Sequence, residues 1–166
     1  NDYHNYISYK ERWGLEKING KIALYLSDKL LFERLFGGYV NVPAIYCWST
    51  NGRFVDIKTG NNIDLPELLR EKKDMIAKPV SSVGGGTGVH LFRYEEGAFL
   101  EDGKKITESE LRETVKKLDD CIFVQRITSA PYASAIYPDS ANSMRIVSAI
   151  DGAGNVEFLL SFHRFG

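Results

Sequence analysis

The chain has 166 residues, of which 43% are hydrophobic and 26% are charged. These fractions are typical of a water-soluble globular protein, with enough apolar material for one domain or two small lobes. The formal net charge is −1 at pH 7, so no global field favours nucleic acid or an anionic membrane as a partner. Any bound anion must therefore be held by local groups.

The two cysteines, Cys47 and Cys121, each lie in an apolar run, without further cysteines or histidines at metal-ligand spacing. This favours buried free thiols, with a single disulfide as the alternative. No apolar stretch approaches the roughly 18 residues of a membrane span, and no secretory leader is present. We expect a cytoplasmic protein without a membrane span. Because the chain opens on Asn1 and not on methionine, we also expect a fragment of a longer product.

The first predicted element is an N-terminal helical segment, residues 1–24. Its aromatic side chains recur every three to four residues, a spacing that would place them on one face of a helix. We interpret this face as one that packs in a core. They are Tyr3, Tyr6, Tyr9 and Trp13. A helix is predicted next over residues 28–36, with Ser27 as its N-cap and Gly37-Gly38 at its end. The side chains predicted on its buried face are Leu31, Phe32, Leu35 and Phe36.

The middle of the chain reads as strands, turns and a short helix. A strand is predicted over residues 42–48, turns at Asn51-Gly52 and Thr59-Gly60, and a helix from Asp64 or Leu65. Residues 74–79 are the next predicted strand.

The second half reads mostly as strands joined by turns. We predict a strand at 98–100, a helix from a Thr107–Glu110 capping box to residue 118, and a buried strand over 121–126. Residues 143–150 and 156–165 form a predicted hairpin. The predicted fold class is α+β with antiparallel sheet dominating this half.

The most informative stretch is residues 76–92, which read IAKPVSSVGGGTGVHLF. One apolar run carries Lys78, a loop rich in glycine and serine follows over residues 81–88, and a β-rich run leaves the loop. Glycine lets backbone amides crowd against an anion, and a lysine before the loop adds the positive charge that a phosphate needs. The pattern predicts a triphosphate-binding hairpin. The alternative is a connection that binds nothing.

The spacing excludes three other nucleotide loops. A Walker loop needs Lys-Ser or Lys-Thr after its last glycine, whereas Val89 and His90 follow Gly88. A dinucleotide fingerprint needs a helix after its glycines, and a β-rich run stands there instead. Protein kinases place their lysine after the loop and carry His-Arg-Asp and Asp-Phe-Gly motifs, which this sequence lacks.

Several short motifs follow one another in an order that resembles the ATP-grasp superfamily over roughly residues 25–166. They are Ser27-Asp28-Lys29, Val42-Pro43, Ala77-Lys78-Pro79 with its glycine loop, residues 121–126 (CIFVQR), residues 140–147 (SANSMRIV) and Arg164-Phe165-Gly166. The closest resemblance is to the sugar-transfer-associated branch, which carries a similar Ser-x-Asn-Thr-x-Arg segment and a later Arg-x-Gly.

The resemblance implies two small α+β lobes, with largely antiparallel sheets and a glycine-rich hairpin loop, that clamp ATP. The N-terminal part with the glycine-loop lobe would be residues 25–120, and residues 121–166 would begin an incomplete C-terminal lobe. Lys78 would contact the α-phosphate region, and the loop would cover the β- and γ-phosphates. The implied cofactor-binding residues are Lys29, Lys78, Ser81, Ser82, Gly84, Gly85, Gly86, Thr87, Gly88, Gln125, Arg126, Ile127, Asn142 and Arg164. Arg145 is the implied catalytic residue, at the terminal phosphates.

Most of these residues also have an ordinary structural interpretation. Lys29 could be a solvated lysine near a helix start, Gln125 could end a strand, and Asn142 could cap a loop. Arg145 could pair with Asp139 or Glu157 and not with ATP. Arg164 could be a surface charge. The histidines His90 and His163 are interpreted as structural.

The resemblance also implies Mg²⁺, held by an Asp-Asn pair expected beyond Gly166. Within the chain the late carboxylates are Asp139, Asp151 and Glu157. Asp139 and Asp151 read as turn residues, and we assign no metal site to any of the three. We therefore expect the chain by itself to be incomplete and inactive.

The function implied is that of an ATP-dependent carboxylate–amine ligase of polysaccharide or glycoconjugate biosynthesis. It would phosphorylate a small-molecule carboxylate and couple it to an amine or a sugar-linked acceptor. The alternatives are a non-catalytic nucleotide-binding or regulatory module of the same fold, and an unrelated α+β domain whose glycine loop binds nothing.

Overall fold

A computed structural model describes residues 19–81 and 86–165. The aromatic stripe predicted within residues 1–13 therefore lies outside the described part. The described residues form two compact units, one up to Arg126 and one from Ile127, here called the first and the second unit. The division comes later than the lobe boundary predicted at residue 121, because the strand that starts at Cys121 is internal to the sheet of the first unit.

Seven strands and four helices of the described chain belong to the first unit. The helices are α1 (Ile22–Ser27), α2 (Lys29–Phe36), α3 (Leu65–Lys72) and α4 (Glu108–Lys116). The strands are β1 (Ile45–Thr50), β2 (Arg53–Val55), β3 (Asp74–Pro79), β4 (His90–Glu95), β5 (Ala98–Glu101), β6 (Lys104–Ile106) and β7 (Cys121–Val124). The strands form one antiparallel sheet in the order β2-β1-β7-β3-β4-β5-β6.

The two faces of this sheet carry different clusters. On one face, Met75, Ala77 and Phe92 pack with residues of α3 and α4, among them Leu69 and Leu111. On the other face lies a smaller cluster of Val80, Ile122 and Val124, against which Leu30, Ile45, Trp48 and Ile76 pack. The alternation of burial along β3 explains the division, because successive side chains of a strand point to opposite faces.

The second unit contains the short helix α5 (Pro131–Ser134) and a hairpin of β8 (Ser143–Ile150) and β9 (Val156–Arg164). Asp151 closes the turn of this hairpin by accepting hydrogen bonds from the amides of Ala153 and Asn155, each at 2.8 Å. Most side chains of the hairpin are exposed.

The structure confirms several sequence predictions. They are the α+β class, the dominance of antiparallel sheet, strand β3, the hairpin of β8 and β9, and the capping box at Thr107. The prediction for helix α2 was wrong in two respects. Asp28, not Ser27, is the N-cap, because its Oδ1 accepts from the amides of Leu30 and Leu31 at 3.0 and 2.9 Å. Leu31 and Leu35, predicted to be buried, are 38% and 47% exposed. Helix α1 overlaps the predicted N-terminal helical segment only at residues 22–24 and continues past its predicted end.

Both cysteines are free and buried, as predicted. Burial raises the pKa of Cys47 to about 12 and also raises that of Cys121. Both thiols therefore stay protonated near neutral pH. In the described residues, no helix has the length and apolar character needed to cross a membrane.

Candidate functional site

A cavity of about 250 Å³ opens on the face of the first-unit sheet that carries the smaller cluster. Two lysines that the sequence singled out, Lys29 and Lys78, lie in its wall together with Glu33. The rest of the lining is apolar: Leu26, Phe32, Val42, Pro43, Ile45, Ile122 and Val124. The cavity thus joins a positively charged region to an apolar one.

Lys78 is the central residue of this cavity. It lies on β3 opposite Ile122 of β7, one residue before the strand ends at Pro79. Its side chain is partly buried, and no described residue forms a hydrogen bond or ion pair with its ammonium. Burial, and next the positive charge of Lys29, lower the pKa of Lys78. A partly buried cation without a counter-charge is unfavourable, and an anion in the cavity would relieve this.

Lys29 sits at the start of α2 and fixes the end of β3. Its Nζ donates to the carbonyl oxygens of Pro79 at 2.7 Å and Val80 at 3.0 Å. Its backbone amide donates to Val80 O at 3.2 Å. Burial lowers the pKa of Lys29, and Asp28 partly offsets this. Lys29 therefore holds the segment that follows Lys78 and adds a second positive charge beside it.

The glycine loop is described at its two ends. Ser81 is exposed at the entry, and Gly86, Thr87 and Gly88 are exposed at the exit. Gly86 and Gly88 have φ of +75° and +73°, and Val89 N donates to Gly86 O at 3.3 Å in a tight turn. The left-handed backbone explains why glycine stands at both positions. The predicted phosphate-binding residues Ser82, Gly84 and Gly85 lie outside the described residues.

Gln125, Arg126 and Ile127, whose backbone the ATP-grasp resemblance implies would contact the adenine, follow β7 on either side of the boundary between the units. In the first unit, Gln125 N donates to Ala44 O at 2.8 Å, and Gln125 Oε1 accepts from Ala44 N at 3.4 Å. Arg126 lies 3.6 Å from Asp74, measured from Nη1 to Oδ2. Ile127 begins the second unit and is exposed. Because the amide of Gln125 already has a partner, it is not available to an adenine ring.

The remaining predicted site residues belong to the second unit. Arg145 is exposed, and its guanidinium lies 5.7 Å from the ring centre of Phe162 across the hairpin. Neither Asp139 nor Glu157 pairs with it in the described chain. Arg164 is exposed at the end of β9. These arginines keep their charges available for a ligand, as surface arginines commonly do.

Asn142 has a local structural role, which we expected as the alternative to cofactor binding. Its Nδ2 donates to the carbonyls of Ala133 at 2.9 Å and Tyr137 at 2.8 Å, so it caps the end of α5. Its amide donates to Ser129 Oγ at 2.8 Å. Its Oδ1 is buried and has no donor among the described residues. A role of Asn142 in nucleotide binding stays a prediction.

The carboxylate of Asp151 accepts hydrogen bonds within its own turn. Hydrogen bonds from Asn155 and from the amides of Ala153 and Gly154 hold its pKa below the ordinary value. It is therefore engaged locally, in keeping with its interpretation as a turn residue.

Sequence reasoning missed most of the cavity wall. Glu33 stands one helical turn after Lys29, so the placement of Lys29 on a helix could have pointed to it. The apolar lining from Val42 to Ile45 and from Ile122 to Val124 carried no chemical signal, since apolar strands of this kind usually pack in a core.

Searches against protein-family models, curated proteins and solved structures found no match to this chain. The resemblance to ATP-grasp proteins therefore rests on the sequence motifs alone.

Proposed function

We propose that the first unit binds the phosphates of ATP through Lys78, and that the chain is the nucleotide-binding part of an ATP-grasp ligase. The observation that carries the proposal is the partly buried ammonium of Lys78, which has no partner among the described residues and faces a cavity beside Lys29. An anion supplies the missing counter-charge, and a phosphate has the charge and the acceptor atoms to do so.

The surroundings of Lys78 support a nucleotide as the source of that phosphate. The turn at Gly86–Gly88 follows the same strand and exposes backbone at a left-handed turn, which suits close approach of an anion. The apolar lining at Val42, Pro43 and Val124 suits a flat base. At about 250 Å³ the cavity accommodates one portion of a nucleotide, since sites for whole ligands of that size run from about 300 Å³ upward.

In the proposed reaction a carboxylate oxygen of the substrate attacks the γ-phosphorus of ATP, and the bond from that phosphorus to the bridging oxygen of ADP breaks. The acyl phosphate then reacts with an amine, and phosphate leaves. Lys78 and Lys29 would hold the triphosphate in place and neutralise charge, which is the protein's main contribution to phosphoryl transfer. Mg²⁺ would supply further charge neutralisation, and we assign it no ligand among the described residues.

Binding can be tested by isothermal titration calorimetry with ATP, tripolyphosphate and adenosine, each with Mg²⁺. If Lys78 holds the phosphates, ATP and tripolyphosphate bind the wild-type chain, and Lys78→Met weakens both. Binding of adenosine would be insensitive to Lys78→Met. Equal affinity of the wild type and Lys78→Met for ATP would refute the proposal.

A non-catalytic nucleotide-binding module is the second candidate, favoured by the local engagement of Asp151 in its turn. Turnover separates the two candidates. The chain, alone and within a longer product of the same gene, would be incubated with Mg-ATP, hydroxylamine and pooled carboxylic acids. A ligase forms acyl hydroxamates and releases phosphate only when a carboxylate is present. A non-catalytic module binds ATP but forms no acyl hydroxamate and releases no phosphate.

A further inference from the structure

A second cluster of polar side chains lies on the other face of the first-unit sheet. His90 Nδ1 is 3.1 Å from Glu101 Oε1 and 3.6 Å from Asp102 Oδ2. One ligand atom of each residue lies within 4.8 Å of the other two. His90 pairs with Ala77 in the ladder, so it shares a face with Ala77, whereas Lys78 points to the opposite face. The cluster is thus separate from the nucleotide cavity.

We infer that His90, Glu101 and Asp102 bind a divalent transition-metal ion such as Zn²⁺. The distances carry the inference. Ligands about 2.1 Å from a tetrahedral zinc ion are about 3.4 Å from one another. The two measured separations from His90 Nδ1, 3.1 and 3.6 Å, lie on either side of that value. Small side-chain movements therefore suffice to place one ion among the three atoms.

The surroundings orient two of the three ligands, Asp102 and His90. Asp102 Oδ1 accepts from the amide of Leu91 at 2.8 Å, and the amide of Asp102 donates to Leu91 O at 2.9 Å. The carboxylate is thereby fixed, with Oδ2 on the side of His90. The His90 ring stacks on Phe92 at 6.0 Å between ring centres. Hydrogen-bonded and packed partners of this kind set the orientation of metal ligands.

The charge and the donor types indicate the class of ion. Two carboxylates offset the charge of a divalent cation, while a neutral imidazole completes the set. A nitrogen ligand favours Zn²⁺ or a related transition metal over Mg²⁺, which prefers oxygen ligands throughout. Three protein ligands leave a coordination position for water.

The competing interpretation is a hydrogen-bonded His90 that pairs with both carboxylates without an ion. The test is a calorimetric titration of the metal-free 166-residue chain with Zn²⁺, repeated with Co²⁺ and visible spectroscopy. We expect one ion per chain. His90→Ala and Glu101→Gln should each weaken binding more than about tenfold, since loss of an outer-shell partner alone costs that much.

His163→Ala is the matched control, because His163 lies in the second unit, and it should bind as the wild type does. If a variant fails to fold, the zinc-induced shift of the His90 Nδ1 resonance in the wild type decides. The inference is overturned if Zn²⁺ leaves that resonance unchanged, if His90→Ala binds as tightly as the wild type, or if Co²⁺ shows a thiolate charge-transfer band. Lys78→Met should bind zinc normally, so this inference and the proposed function fail independently.

Discussion

At the scale of single residues, Lys78 is the proposed anion-binding group of the first unit. Its ammonium is partly buried beside another cation, and no described residue neutralises it. Such a group lowers stability in the free protein and favours binding of an anion. Replacing Lys78 by an uncharged residue should therefore affect anion binding and the free energy of unfolding in opposite directions.

Lys78→Met should therefore weaken phosphate binding without destabilising the fold. The lowered pKa means that, between that pKa and 10.5, the unfolded chain binds more protons than the folded one. Lys78 thus makes the free energy of unfolding rise with pH in that interval. Urea unfolding between pH 7 and 10 should show a smaller rise for Lys78→Met and no loss of stability at pH 7. A marked loss at pH 7 would contradict the description of Lys78 as an uncompensated cation.

Phosphate binding should also depend on pH through Lys78. Because its pKa is lowered, Lys78 loses its proton below the ordinary lysine range, and the affinity for tripolyphosphate should fall as the pH rises toward 10.5. Lys78→Arg stays charged throughout this range and should bind with a much weaker pH dependence. Calorimetry at several pH values measures this, with circular dichroism to verify that both proteins remain folded. If the affinity of the wild type and of Lys78→Arg fell equally with pH, a group other than Lys78 would be responsible for the pH dependence.

At the scale of the elements, the end of β3 and the start of α2 depend on each other. Asp28 caps α2 and Lys29 binds the carbonyls of Pro79 and Val80. Removing the cap should loosen the residue that holds the strand end.

Asp28→Ala should lower the free energy of unfolding by about 1 kcal/mol, the usual effect of losing an N-cap. Ser27→Ala is the matched control. The Ser27 hydroxyl donates to Leu24 O at 3.2 Å on an exposed surface, so its removal should change stability by less than about 0.5 kcal/mol. Chemical denaturation measures both. A larger effect at Ser27 than at Asp28 would contradict the assigned cap.

The two described glycines of the loop should differ in their tolerance of alanine. Both have left-handed backbones, so alanine costs each about 1 kcal/mol. A Cβ at Gly88 would also lie 3.1 Å from Pro79 Cγ, whereas one at Gly86 would meet no described residue within 4 Å. Thermal unfolding should therefore show a larger loss for Gly88→Ala than for Gly86→Ala. Equal losses would exclude a role for the contact with Pro79.

At the scale of the whole molecule, the sequence predicted local elements better than long-range contacts. The strands around the glycine loop were predictable because proline and glycine bound their apolar runs. The contact of Lys29 with Pro79 and Val80 was not, since it joins segments fifty residues apart and depends on the strand order. Leu31 and Leu35 followed a helical period, but α2 presents Leu30 to the sheet instead.

The most direct test of the central proposal is a thermal-shift titration of the wild type, Lys78→Met and Lys78→Arg with Mg-ATP. At a concentration 100 times Kd, binding adds about 2.7 kcal/mol, which corresponds to a rise in Tm of roughly 5–11 °C for a protein of this size. We expect that rise in the wild type, a smaller one in Lys78→Arg and the smallest in Lys78→Met. The same rise in Lys78→Met, or no rise in the wild type, would contradict nucleotide binding at Lys78.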